Sequence, residues 1–208
     1  MSKWSTERKT VLEAARQLAQ KGFVVGTMGN VSMRIATPDE KALLAITPSS
    51  CYYDTMILDD IIIVNFDGKR VEGKLKPSVE TVLHTEIYRA RKEVNAVIHA
   101  HSIFGSVAAV AGLDIPPILD DQLVCLGGGI KIAPYALPHS EDLARNVVSA
   151  LGPRNAVILA NHGTLAVGRD MKEAFTNCEL LEKTAQIYIN ALYTGKVNML
   201  PSEAAGTD

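Results

Sequence analysis

Apolar positions set out the elements before any chemistry is considered. Val11, Leu12, Ala15, Leu18 and Ala19 share one stripe at helical spacing. They predict a helix capped by Ser5, reaching about Gln20 and stopped at Gly22. Strand-like runs follow over residues 30–35, 42–46 and 61–66, the last ending in the turn Asp67-Gly68. Behind Pro77-Ser78, Val79, Val82, Leu83 and Ile87 return to helical spacing, which opens a helix with Glu80 in its first turn. Residues 94–101 alternate like a strand, and Ser102 starts a helix of small residues that ends near Gly112.

Ile115-Pro116-Pro117 and Gly127-Gly128-Gly129 punctuate residues 114–138, so short strands and loops are expected there. Ser140 caps a further helix whose Glu141 and Asp142 complement its dipole, and Gly152 closes it. Residues 156–160 and 165–167 read as strands on either side of His162-Gly163. Asp170 caps a last helix reaching about Thr194, with Gly195 just beyond. Its stripe of Ala174, Cys178, Leu181, Ala185, Tyr188 and Leu192 must pack on something. The order implies an α/β class. A single domain over residues 1–208 is expected, with a largely antiparallel central β-sheet flanked by helices.

Bulk composition mainly excludes. At 208 residues the chain matches about one domain, and 47% hydrophobic with 21% charged residues describes a soluble globular chain. Lys and Arg number 21 against 23 Asp and Glu, a net charge of −2. A nucleic-acid binder or a protein of anionic membranes would need a basic surplus, so neither partner is expected. No apolar leader opens the chain, and no apolar run approaches the roughly 20 residues of a membrane span. Cys51, Cys125 and Cys178 form no Cys-x-x-Cys, so free thiols in a reducing cytoplasm are expected.

Chemistry enters with the histidines. His99 and His101 flank Ala100 on a predicted strand, whose period of two puts both rings on one face with Cα atoms roughly 6.6 Å apart. His162 closes a second apolar run just before Gly163, a natural place for a third ligand on a neighbouring strand. Three neutral imidazoles with an open fourth position suit a catalytic zinc better than a structural one. Ordinary half-buried histidines bonded to main chain are the plain alternative. Glu80 is either a dipole-compensating carboxylate or a proton exchanger beside a metal, and His84, four residues on, shares its helix face. Gly26-Thr27-Met28-Gly29-Asn30 and Thr47-Pro48-Ser49-Ser50 offer amides and hydroxyls to an anion, although such turns are often only turns. No phosphate-loop or dinucleotide glycine motif occurs.

Taken in order, five segments resemble the class II aldolase/adducin family, and within it most closely the L-fuculose-phosphate aldolases. They are Gly26-Thr27-Met28-Gly29-Asn30-Val31-Ser32, Thr47-Pro48-Ser49, Lys76-Pro77-Ser78-Val79-Glu80, His99-Ala100-His101 and Asn161-His162-Gly163. The resemblance implies one Zn²⁺ per subunit on His99, His101 and His162, with Glu80 as acid/base. It implies a phosphate site of Thr27, Gly29, Asn30, Ser49, Ser50 and Ser78, and a homotetramer with active sites between subunits. The implied reaction is cleavage of a sugar phosphate, a ketose 1-phosphate, to dihydroxyacetone phosphate and an aldehyde through a metal-stabilised enediolate.

Two departures concern the aldehyde half. Ile115-Pro116-Pro117-Ile118 is followed by Leu119-Asp120-Asp121-Gln122 where the resembling aldolases have a tyrosine, and no tyrosine follows Gly195. The same metal site could therefore serve 4-epimerisation of a pentulose phosphate, decarboxylation of an oxo-acid phosphate or dehydration of methylthioribulose phosphate. Glu80 stands where the epimerases have a metal-binding aspartate. A non-catalytic domain like the adducin head is the remaining class, although such heads are expected to lose the metal histidines. His139 has no assigned role.

Overall fold

The computed structural model describes residues 3–37 and 42–201. Among these residues eight strands form one sheet in the order β4-β3-β2-β1-β5-β8-β7-β6. They are β1 (Asn30–Ile35), β2 (Leu43–Ile46), β3 (Ile62–Asn65), β4 (Arg70–Glu72), β5 (Ala96–Ala100), β6 (Lys131–Ala133), β7 (Ala156–Leu159) and β8 (Gly163–Gly168). All neighbours pair antiparallel except β6 with β7. Among the described residues five α-helices cover the sheet: α1 (Ser5–Gln20), α2 (Thr81–Ala90), α3 (Ile103–Ala111), α4 (Glu141–Leu151) and α5 (Met171–Tyr193). Among the described residues no helix is long and apolar enough to cross a membrane.

Period-two alternation sorts the side chains of β5 between two cores. Ala96, Ile98 and Ala100 pack with Val11, Leu18 and Phe175 beneath α1 and α5. Val97 faces the other way and packs with Leu83, Ile87 and Val147 beneath α2 and α4. His99 shares the Val97 face, at the centre of the sheet, because β5 lies between β1 and β8.

Several local expectations shift. Ser5 is the first helical residue rather than the cap, and Trp4 takes the cap position in left-handed backbone without a side-chain bond. Ser140 and Asp170 do cap, accepting from Leu143 N–H and Glu173 N–H. Ser102 instead gives its hydroxyl to Glu182, whose carboxylate accepts the Phe104 and Gly105 N–H groups at 2.9 and 2.8 Å. A carboxylate on α5 thus caps α3, where the helix dipole favours negative charge. The segment over residues 114–138 contains β6 and one π-helical turn, Gln122–Leu126. The apolar stripe of α5 is buried within the chain against β8 and α3, apart from Leu192. That stripe therefore needs no partner subunit.

Candidate active site

Strand pairing converges three histidines. In β5, His99 lies opposite Asn30 of β1 and Leu165 of β8. His99 Nδ1 is 2.9 Å from the Thr164 carbonyl. A carbonyl only accepts, so Nδ1 carries the proton and Nε2 presents a lone pair to the site. His101 follows β5 by one residue, with its Nε2 2.9 Å from His99 Nε2. His162 sits in the turn that joins β7 to β8 rather than on a strand, behind Asn161 at φ 55°. Ring centroids are 4.8 Å apart for His99–His101 and His99–His162, and 5.2 Å for His101–His162.

Burial sets the protonation of this group. Desolvation, reinforced by neighbouring histidines, lowers His101 and His162 to about 4. Both rings are then neutral near pH 7 and hold lone pairs. Ligand atoms of all three residues lie within 4.8 Å of one another. With a proton on His99 Nδ1, the Nε2 atoms of His99 and His101 face one another at 2.9 Å, a separation that a shared cation would bridge. Three imidazoles suit a transition-series ion better than magnesium or calcium, and the residues fit such an ion.

Glu80 lies beside them. It stands immediately before α2 rather than inside its first turn, because Ser78 forms a local turn that accepts the Glu80 N–H on its hydroxyl and the Thr81 N–H on its carbonyl. Its Oε2 is 3.3 Å from His99 Nε2 and accepts Asn30 Nδ2–H at 2.7 Å. Its Oε1 is 3.5 Å from His162 Nε2 and has no hydrogen bond. Burial by itself would raise this carboxyl. His99, the Asn30 hydrogen bond, His162 and His84 outweigh it and hold the group down to about 2.

A cavity of about 230 Å³ joins this group to the polar loops. Its lining includes His101, His162 and Glu80 together with Thr27, Gly29, Asn30, Ser49, Ser50 and Ser78, and also His139. Loop is stitched to loop by main chain. Ser49 N–H donates to Lys76 O at 2.9 Å and Ser78 N–H to Thr47 O at 3.1 Å. Tyr53 hydroxyl donates to Gly29 O at 2.5 Å. Gly29 has φ 71°, and a Cβ there would meet His99 O at 2.7 Å. No Lys or Arg lines the cavity among the described residues. A larger hollow of about 620 Å³ beside Trp4 and Phe66 gathers no converging ligands.

The family model for the Class II Aldolase and Adducin N-terminal domain matches residues 9–189. The chain belongs to the class II aldolase and adducin family. It is 34% identical over 198 residues to a 5-deoxy-D-ribulose 1-phosphate aldolase of Bacillus thuringiensis serovar kurstaki, covering 95% of this chain and 91% of that one. A 5-methylthioribulose-1-phosphate/5-deoxyribulose-1-phosphate aldolase of Rhodospirillum rubrum is 33% identical, over 94% of this chain and 86% of its own. An L-fuculose 1-phosphate aldolase structure superposes with a TM-score of 0.91 at 31% identity, over 99% and 94% of the two chains.

Within this class II fold, every residue expected at the site from sequence lies on or beside one cavity. Asn30 departs in detail: its carboxamide turns to Glu80 and His84 rather than outward to the polar loops. Asp121 pairs with Lys183 at 2.7 Å, tying its loop to α5. Sequence reasoning missed Ser32, Tyr53 and Tyr88. Tyr88 did leave a signal, since Glu80, His84 and Tyr88 are spaced by four, one helix face.

Proposed function

We propose that the chain is a zinc-dependent aldolase that cleaves a ketose 1-phosphate to dihydroxyacetone phosphate and an aldehyde. One observation carries this reading: a single cavity is lined by Glu80, by two members of the three-histidine group and by the hydroxyl- and amide-bearing loops, with His99 within ligand reach behind them. The relatives' names support the substrate class, because each describes a ketose 1-phosphate aldolase. The 5-deoxy and 5-methylthio sugars in two of those names point to a substrate whose far end lacks a hydroxyl.

His99, His101 and His162 would hold the ion. When bound, it supplies Lewis acidity toward a carbonyl and its neighbouring hydroxyl. Thr27, Gly29, Ser49, Ser50 and Ser78 fix the phosphate through hydroxyls and N–H groups, with Asn30 contributing main chain to the same loop. Anchoring the phosphate aligns the carbon chain along the cavity, so binding energy is used for orientation. Glu80 then delivers a proton to C3 once the C3–C4 bond breaks, and removes one from the same carbon in the condensation direction.

A homotetramer with sites between subunits belongs to the same reading. It is supported by α3, whose Ile103, Val107 and Val110 remain exposed at positions i, i+4 and i+7. Purified protein should contain about one zinc per chain and lose cleavage on chelation. Cleavage that survives a His99→Ala, His101→Ala double substitution would overturn the proposal.

A further inference from the structure

Behind Glu80 runs a chain of hydrogen bonds whose direction the chemistry fixes at each step. Asn30 Nδ2 donates to Glu80 Oε2, and Asn30 Oδ1 faces His84 Nε2 at 2.5 Å. His84 Nδ1 is 2.6 Å from Ser32 Oγ, which is 2.8 Å from Tyr88 OH. All five residues are buried. Two periods interlock to build it: Asn30 and Ser32 are alternate residues on β1, and His84 and Tyr88 are successive turns of one face of α2 that follow Glu80, at its N-cap, at a spacing of four.

An ionised carboxylate accepts only, so the Asn30 amide must face Glu80 and its carbonyl must face His84. His84 Nε2 therefore carries a hydrogen. The ring is fully buried, and its polar contacts are to Asn30 and Ser32, so it is neutral and Nδ1 keeps its lone pair. Ser32 must donate to Nδ1, and Tyr88 must donate to Ser32. We infer that Tyr88, Ser32 and His84 are positioning residues, which hold Glu80 Oε2 through Asn30 and leave Oε1 as the oxygen that carries the proton.

This inference rests on the proposed acid/base role of Glu80. The geometry around Oε1 agrees with it, since that atom is buried without a hydrogen-bond partner on the side of His162. Placing a proton on Oε2 would set it against the Asn30 N–H, and relief would require turning the amide and moving the His84 hydrogen. In the step concerned, a C3–H bond of dihydroxyacetone phosphate breaks and an O–H bond forms on Oε1. The electron pair passes into the C2 carbonyl, and the reverse restores the C–H bond.

Two measurements test the chain. Nitrogen-15 NMR of the metal-free protein at pH 7 should show His84 as the neutral Nε2–H tautomer; the Nδ1–H tautomer or an imidazolium overturns the inference. Exchange of a C3 hydrogen of dihydroxyacetone phosphate for solvent deuterium should fall about 10–100-fold in kcat for His84→Leu, with KM and zinc content retained. His84→Gln, which can donate and accept in the same places, should recover most of the rate, and Tyr88→Phe should cost least. A folded His84→Leu protein exchanging at the wild-type rate overturns the inference. Should that variant fail to fold, Ser32→Ala is read in its place, with the same two outcomes. Wild-type protein that catalyses no exchange would instead count against the proposed reaction, and the tautomer would still decide the chain.

Discussion

Gly163 lies so close to His101 that a Cβ on it would sit 2.7 Å from the ring's Cδ2 and 2.6 Å from Ala100 O. The absence of a side chain at the start of β8 is what lets the imidazole lie across the sheet toward His99. Gly163→Ala must move either the ring or the strand. It should lower zinc occupancy below one per chain and cost about 1–3 kcal/mol of stability. Metal analysis alongside a denaturant titration checks both; full zinc occupancy with unchanged stability would contradict the close approach.

Acid should weaken the metal-free protein from near neutrality downward. Burial lowers His84 to about 3 from an ordinary 6.5. Between those values the unfolded chain binds more protons, so stability is fully present above about 6.5 and is lost as pH falls toward 3. His101 and His162, lowered to about 4, act with the same sign, and Glu80, held at about 2 from 4.5, extends the loss at the acid end. Denaturant midpoints across pH should therefore fall steadily below 6.5 and fall less steeply for His84→Gln. Parallel curves for the two proteins would contradict a neutral buried His84.

The proposed phosphate site, which has no Lys or Arg among the described residues of its cavity lining, has its own signature. Because hydroxyls and amides line the cavity, raising salt from 50 to 300 mM should change KM for the sugar phosphate by less than about threefold. Ser49→Ala and Ser78→Ala should each raise KM about 10–150-fold, the loss of one hydrogen bond to a charged group. Ser78→Ala should also lower kcat, since Ser78 Oγ accepts the Glu80 N–H. Steady-state kinetics at two ionic strengths separates these effects.

Much of this arrangement was legible along the chain, for reasons that particular residues show. The His99-Ala100-His101 spacing fixes two rings on one face through strand geometry alone. The caps at Ser140 and Asp170 follow from local hydrogen bonding. What escaped depends on contacts distant in sequence. Glu182 caps α3 from 77 to 80 residues away, a partner that nothing in the local pattern around Ser102 reveals. Ser32 and Tyr88 looked like ordinary strand and helix residues until the packing of α2 on β1 brought their hydroxyls together. The apolar stripe of α5 requires a packing surface, but its spacing does not say which; β8 and α3 of the same chain supply it.

The most direct test is the product of a single reaction. Zinc-loaded protein incubated with 5-deoxyribulose 1-phosphate should release dihydroxyacetone phosphate and a two-carbon aldehyde in equal amounts, and Glu80→Gln should not. Conversion to an epimer or loss of water, with no aldehyde formed, would contradict the aldolase reading.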